Sequence, residues 1–160
     1  MHPRARELIG LLDLVPHVEG GHYRRTHVAQ RQFRDGERER PLASAIHYLL
    51  AAGELSRWHR IDADEAWHHV EGDALELSIF DAEVNALVRR RLGRPDAHGT
   101  CPLIVVPAGC WQAARPLGDY ALVGCSVAPA FEPTGFALLA DDPGAAAILS
   151  RHWPEASALL

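Results

Sequence analysis

Gly53 and Gly72 bracket the stretch G-E-L-S-R-W-H-R-I-D-A-D-E-A-W-H-H-V-E-G, in which polar residues recur at fixed intervals between strand-like segments. His59 follows Gly53 after five residues, Glu65 lies six beyond His59, and Gly72 lies seven beyond Glu65. Side chains alternate between the two faces of a strand. A strand that turns His59 inward therefore also turns residue 61 inward, and residue 61 is isoleucine. After a turn at Asp62-Ala63-Asp64, Glu65, Trp67 and His69 share one face, while Ala66 and His68 take the other. The expected interior holds His59, Ile61, Glu65, Trp67 and His69.

Most of the remaining chain also reads as β. Residues 22–28 follow the Gly20-Gly21 pair as a strand. Residues 43–50 (A-S-A-I-H-Y-L-L) read as a buried strand, and residues 29–41, polar and charged, as a loop. Leu75, Leu77 and Ile79 alternate with Glu76 and Ser78, the period of a half-buried strand. Gly72-Asp73 between residues 66–71 and 74–80 is a hairpin signal. Strands are also expected at 87–92, 102–106, 110–115 and 120–127, with a turn at Pro107-Ala108-Gly109. Many short strands separated by Gly/Pro turns indicate a sandwich or barrel. Two helices are expected at the ends. Residues 4–13 are amphipathic, and residues 142–151 place an aspartate before Pro143 and then good helix formers.

A chain of 160 residues with 48% apolar content can bury a full core, and this length points to a single domain, 1–160. Net charge is −5, and the arginines between 31 and 40 are interleaved with acids, so no nucleic-acid surface is expected. Every basic side chain is an arginine; without lysine there is no Schiff-base chemistry on a side chain. Three cysteines, none in a C-x-x-C pair, suit a reducing compartment. The N-terminus lacks the apolar core of a signal peptide and no segment is long and apolar enough to span a membrane, so the expected location is cytoplasmic.

The Gly53–Gly72 spacing resembles the first motif of the cupin superfamily, in which two histidines and a glutamate face a metal. Pro107-Ala108-Gly109-Cys110-Trp111-Gln112 is similar to the second, with glutamine where histidine is usual. Ile61 offers no donor and Gln112 only a neutral amide oxygen, so no cofactor is expected. If a metal does bind, its ligands would be His59, Glu65, Gln112 and His69. A narrower resemblance covers roughly residues 8–140. P-H-x-E-G-G-x-Y, A-I-H-Y-L-L, S-x-x-H-R, D-E-x-W-H, G-D-x-L-E-L, V-P-A-G-x-W and Y-A-L-V-G-C-x-V-A-P, in that order, are similar to the Cupin-5 family. These are small jelly rolls whose pattern generally lacks the full metal set. The chain departs from that pattern at Arg25, where an acid is common, and at His27 and His69, where aromatics are common.

The resemblance implies an all-β, RmlC-like jelly roll with short terminal helices. It also implies a small-molecule ligand, of sugar or nucleotide-sugar kind, and a homodimer. Within that frame His59 and Glu65 are the expected acid and base of an isomerase or epimerase, with Tyr23 a donor at the rim. His17, Glu19, Arg24, Ser56, Trp67, His68, His69, Trp111 and Gln112 are the expected ligand-binding residues, Arg24 as an anion clamp. Which of His68 and His69 faces the pocket stays open. The alternatives are a metal-dependent enzyme such as an oxygenase, or a non-catalytic ligand sensor.

Overall fold

Alternating apolar residues form strands wherever one face can be buried, and here two sheets bury each other. The computed structural model describes residues 1–36 and 38–159. The order is α1 (Pro3–Leu11), β1 (Val15–Pro16), β2 (His22–Val28), β3 (Gln32–Asp35), β4 (Arg38–Pro41), β5 (Ser44–Ala51), β6 (Ser56–Arg60), β7 (Asp64–Gly72), β8 (Leu75–Asp81), β9 (Ala86–Leu92), β10 (Leu103–Val106), β11 (Trp111–Pro116), β12 (Tyr120–Ala128), β13 (Ala137–Leu138) and α2 (Pro143–His152). One sheet runs β1-β2-β5-β12-β7-β10 and the other β13-β6-β11-β8-β9, so the chain folds as a jelly roll.

The inner faces of the two sheets supply the main core, including Tyr48, Leu50, Trp67, Leu75, Leu77, Leu92 and Val123. Each helix covers an outer face. Helix α1 lays Ala5 and Leu8 on Leu49, Tyr120 and Leu122 of the larger sheet. It is held there by Arg4, whose Nε and Nη2 donate to the two oxygens of Glu71 at 2.8 and 3.0 Å. That pair and the Tyr120 hydroxyl hold the Glu71 carboxyl down at about 2. Helix α2 is capped by Asp142, whose carboxylate accepts from the Ala145 N–H at 3.0 Å. It covers Trp58, Phe80 and Trp111 on the smaller sheet.

Two local expectations are corrected. Gly72-Asp73 does not close a hairpin: β7 pairs with β12 and β10, and β8 with β11 and β9. The turn instead carries the chain from one sheet to the other, and a Cβ on Gly72 would strike the Tyr120 carbonyl oxygen. Residues 29–41 are not a plain loop, because β3 and β4 pair antiparallel from Gln32–Pro41 to Asp35–Arg38. The anchor is Arg40, whose side chain is 1% exposed. Its guanidinium donates to both oxygens of Asp62 at 3.0 and 3.1 Å and to the Ala130 carbonyl at 2.7 Å. A charge run reads as solvated, but a guanidinium can be buried when its two Nη groups are bonded and further carboxylate charge lies close, here Glu132 at 3.7 Å from an Nε that has no hydrogen-bond partner among the described residues.

Candidate functional site

The double glycine builds one wall of the site. Gly20 and Gly21 sit at φ 113° and 66°, where side chains are disfavoured. The Gly20 N–H donates to His17 O at 3.1 Å and the His17 N–H to Gly21 O at 3.0 Å, which makes a tight loop. The loop lies on β6, where the Arg57 N–H donates to Glu19 O at 3.0 Å, and the Tyr48 hydroxyl donates to Gly20 O at 2.7 Å. Glu19 is thereby turned into the barrel and His17 placed beside it.

The result is a cavity of about 90 Å³ between the sheets. His17, Glu19, Tyr23, His59, Glu65 and Trp67 line it, with Arg25, Ile46, Tyr48, Ile61, Cys125, Val127 and Phe131. Ser56 and Gln112 stand behind the wall. The Ser56 hydroxyl donates to Glu19 Oε2 at 3.1 Å. Gln112 is fully buried; its Oε1 accepts from the Trp67 indole at 2.9 Å and its Nε2 donates to Glu65 Oε2 at 2.5 Å. Its amide is thus committed at both ends and fixes Trp67 and Glu65 to each other.

His59 Nδ1 is 2.8 Å from the Arg57 carbonyl and 3.3 Å from Glu19 Oε2. A carbonyl only accepts, so Nδ1 carries the hydrogen and Nε2 is the bare nitrogen of the neutral ring. Phe136 stacks on that ring with centroids 5.8 Å apart. Burial pushes the His59 pKa down, against the pull of Glu65. Burial pushes Glu65 up, opposed by His59 and supported by Glu19. Burial also raises Glu19, to about 7, with His17, Ser56 and Arg57 opposing. At neutral pH the cavity therefore presents a neutral imidazole with a free lone pair, a Glu65 whose ionisation burial opposes, and a Glu19 near half-protonation.

Four expected contacts lie elsewhere. Trp111 alternates with Gln112 on β11, so it points out of the barrel beneath Arg60 and α2. His68 is exposed on the outer face of β7. His69 shares the inner face with Glu65 and Trp67, but four residues of strand carry it about 13 Å from Glu65. There its Nε2 lies 3.3 Å from Gly72 O. Arg24 is exposed and paired with Asp13 at 2.7 Å rather than turned inward. Reading the sequence missed Arg25, Ile46, Tyr48, Cys125, Val127 and Phe131. The inward period of β5 (Ile46, Tyr48) was a usable signal; the Phe131 loop had none.

The four positions of the cupin metal site hold His59, Ile61, Glu65 and Gln112, and these do not fit a metal. Ile61 has no donor, the Gln112 oxygen is taken by Trp67, and His69 is too far along the strand. Among the described residues no three His, Cys, Asp or Glu side chains are grouped to hold one ion.

A jelly roll closed around a compact polar cavity is a cupin. The chain belongs to the Cupin_5 family (Cupin superfamily, DUF985), which it matches over residues 6–139. It is similar to a solved protein of Shewanella oneidensis, with 35% identity, 97% of this chain and 93% of that one covered, and a TM-score of 0.82. A hypothetical protein from Leishmania major has the same TM-score of 0.82 at 25% identity, with 97% and 95% covered. A dTDP sugar isomerase from Desulfovibrio desulfuricans shares the fold, with a TM-score of 0.53 at 15% identity and 72% and 82% covered. Among curated proteins none matches. Among the described residues no helix is long and apolar enough to cross a membrane.

Proposed function

We propose that this cupin, acting as one domain, binds a compact polar molecule of sugar kind in its cavity and moves a proton on it, as isomerases and epimerases do. The observation that carries the reading is the meeting in one cavity of His59, its Nε2 unbonded, and Glu65, a buried carboxyl whose neutral form burial favours. His59 Nε2 takes a proton from carbon beside a carbonyl while the Glu65 carboxyl gives one to the carbonyl oxygen, leaving an enol. Reversal with delivery at the other carbon or face completes the isomerisation, and no oxidant is consumed. Tyr23 donates a hydrogen bond at the rim, and Glu19 holds the His59 Nδ1 side. A cavity of about 90 Å³ is small beside the roughly 300–1,000 Å³ of drug-sized sites, so it suits the reacting sugar rather than a whole nucleotide sugar. The fold shared with a sugar isomerase agrees with this reading only as analogy.

The test is proton exchange. Aldoses, ketoses and sugar nucleotides are incubated with the protein in D2O and their C–H signals followed by NMR. Loss of one C–H signal is expected, slowed about 100-fold or more by His59→Gln and by Glu65→Gln. Saturable binding without exchange would favour the sensor reading.

A homodimer is part of the same proposal. Val70, Leu103 and Val105 are exposed on the outer side of the β7–β10 edge, a surface that a second copy would cover. Sedimentation at micromolar concentration should give about twice the 17.6 kDa chain mass; a monomer across that range would count against it.

A further inference from the structure

Arg25 borders two hollows at once. It lines the cavity, and together with Asp13, Val15, Tyr23 and Arg24 it lines an open groove of about 410 Å³ on the surface beside it. The cavity and groove therefore share Tyr23 and Arg25 in their walls. The two neighbouring arginines differ in their commitments. Arg24 is tied to Asp13 at 2.7 Å, whereas Arg25 makes no ion pair or hydrogen bond among the described residues. Deeper in, the lining adds the acids Glu19 and Glu65 and, among the described residues, no second arginine, so the interior offers an anionic group no fixed positive charge.

We propose that the ligand is a compact hydroxylated acid, bound with its carboxylate or phosphate at Arg25, in the wall that cavity and groove share, and its hydroxylated end inside the barrel. The division of charge sets the orientation: the guanidinium at the mouth offers forked donors to a planar carboxylate or a phosphate, and the interior takes hydroxyl or carbonyl groups. The groove gives the acid room that the cavity lacks. This rests on the cavity being the ligand site and adds the class of ligand and the residue that selects it.

The experiment follows the Trp67 indole N–H in the full-length protein by 15N–1H NMR, since Trp67 lines the cavity. The titrants are D-glucose, D-glucuronate and D-glucose 6-phosphate. Saturable shifts are expected for at least one of the acids, at about tenfold or more higher affinity than for glucose. Arg25→Gln should bring that acid down to the affinity of glucose while the free-protein spectrum stays dispersed, because Arg25 is exposed. A response to glucuronate alone or to the phosphate alone identifies the acidic group. Acid affinity unchanged in Arg25→Gln, glucose binding as tightly as both acids, or no response to either acid overturns the inference. The proton-exchange assay on neutral carbonyl sugars then judges the cavity reading separately.

Discussion

Gly20→Ala is expected to unfold much of this protein's stability margin, whereas Gly53→Ala should cost little. Both glycines have positive φ, 113° and 83°, so both variants place alanine in a conformation costing about 1–2 kcal/mol. They differ in what surrounds them. A Cβ on Gly53 meets nothing within 4 Å, while one on Gly20 would collide with the Leu55 carbonyl oxygen. That oxygen belongs to backbone and cannot swing aside. The loop would have to lift, adding roughly 1–3 kcal/mol of overpacking. Urea unfolding should show Gly20→Ala destabilised by about 2–5 kcal/mol and Gly53→Ala by about 1–2. Equal losses would mean that the loop does not press on the chain beside β6. The site should suffer with the fold, because the Gly20 carbonyl holds Tyr48 and its neighbour Glu19 lines the cavity.

Glu19→Gln should change the pH dependence of stability. Burial raises the folded pKa of Glu19 from 4.5 to about 7. Its neutral form is therefore favoured in the folded state. The stability this contributes is fully present below about 4.5 and is lost as pH rises through about 7, because the folded chain must then ionise a buried acid or open. A shift of this size corresponds to about 3 kcal/mol. Glutamine cannot ionise, and its amide oxygen can still accept from Ser56. Urea unfolding at pH 5 and pH 8 should show the variant gaining on the parent by up to about 3 kcal/mol at the higher pH. His17, His59, Arg57 and Glu65 surround the carboxyl, and the pull of His17 and Arg57 is already contained in its raised value. Parallel profiles would show that Glu19 ionises in the fold without penalty.

The two halves of the site had different legibility. His59, Glu65 and Trp67 were readable from spacing because alternation is a local property of an extended chain. The same rule, applied to Trp111 and Gln112, forbids two neighbours from facing one cavity, and the structure keeps the buried glutamine inside. His69 obeys alternation and still misses the site, since sharing a face says nothing about distance along it. Arg40 and Arg25 lie in polar runs where sequence offers no way to tell a buried anchor from a mouth residue or a solvated side chain.

What the sequence alone determined is the period: which segments are strands, which side chains face inward, where glycines make turns, and through its ordered motifs the cupin family. These depend on residues a few positions apart. Only the tertiary structure decided that Gly72-Asp73 joins two sheets instead of closing a hairpin, since pairing depends on partners as distant as β12 and β11. It likewise decided that the Gly20-Gly21 loop carries Glu19 to within 3.3 Å of His59 across forty residues of chain. The ionisation of the cavity follows from that meeting, because the desolvation that raises Glu19 and lowers His59 exists only after the two sheets have closed over them.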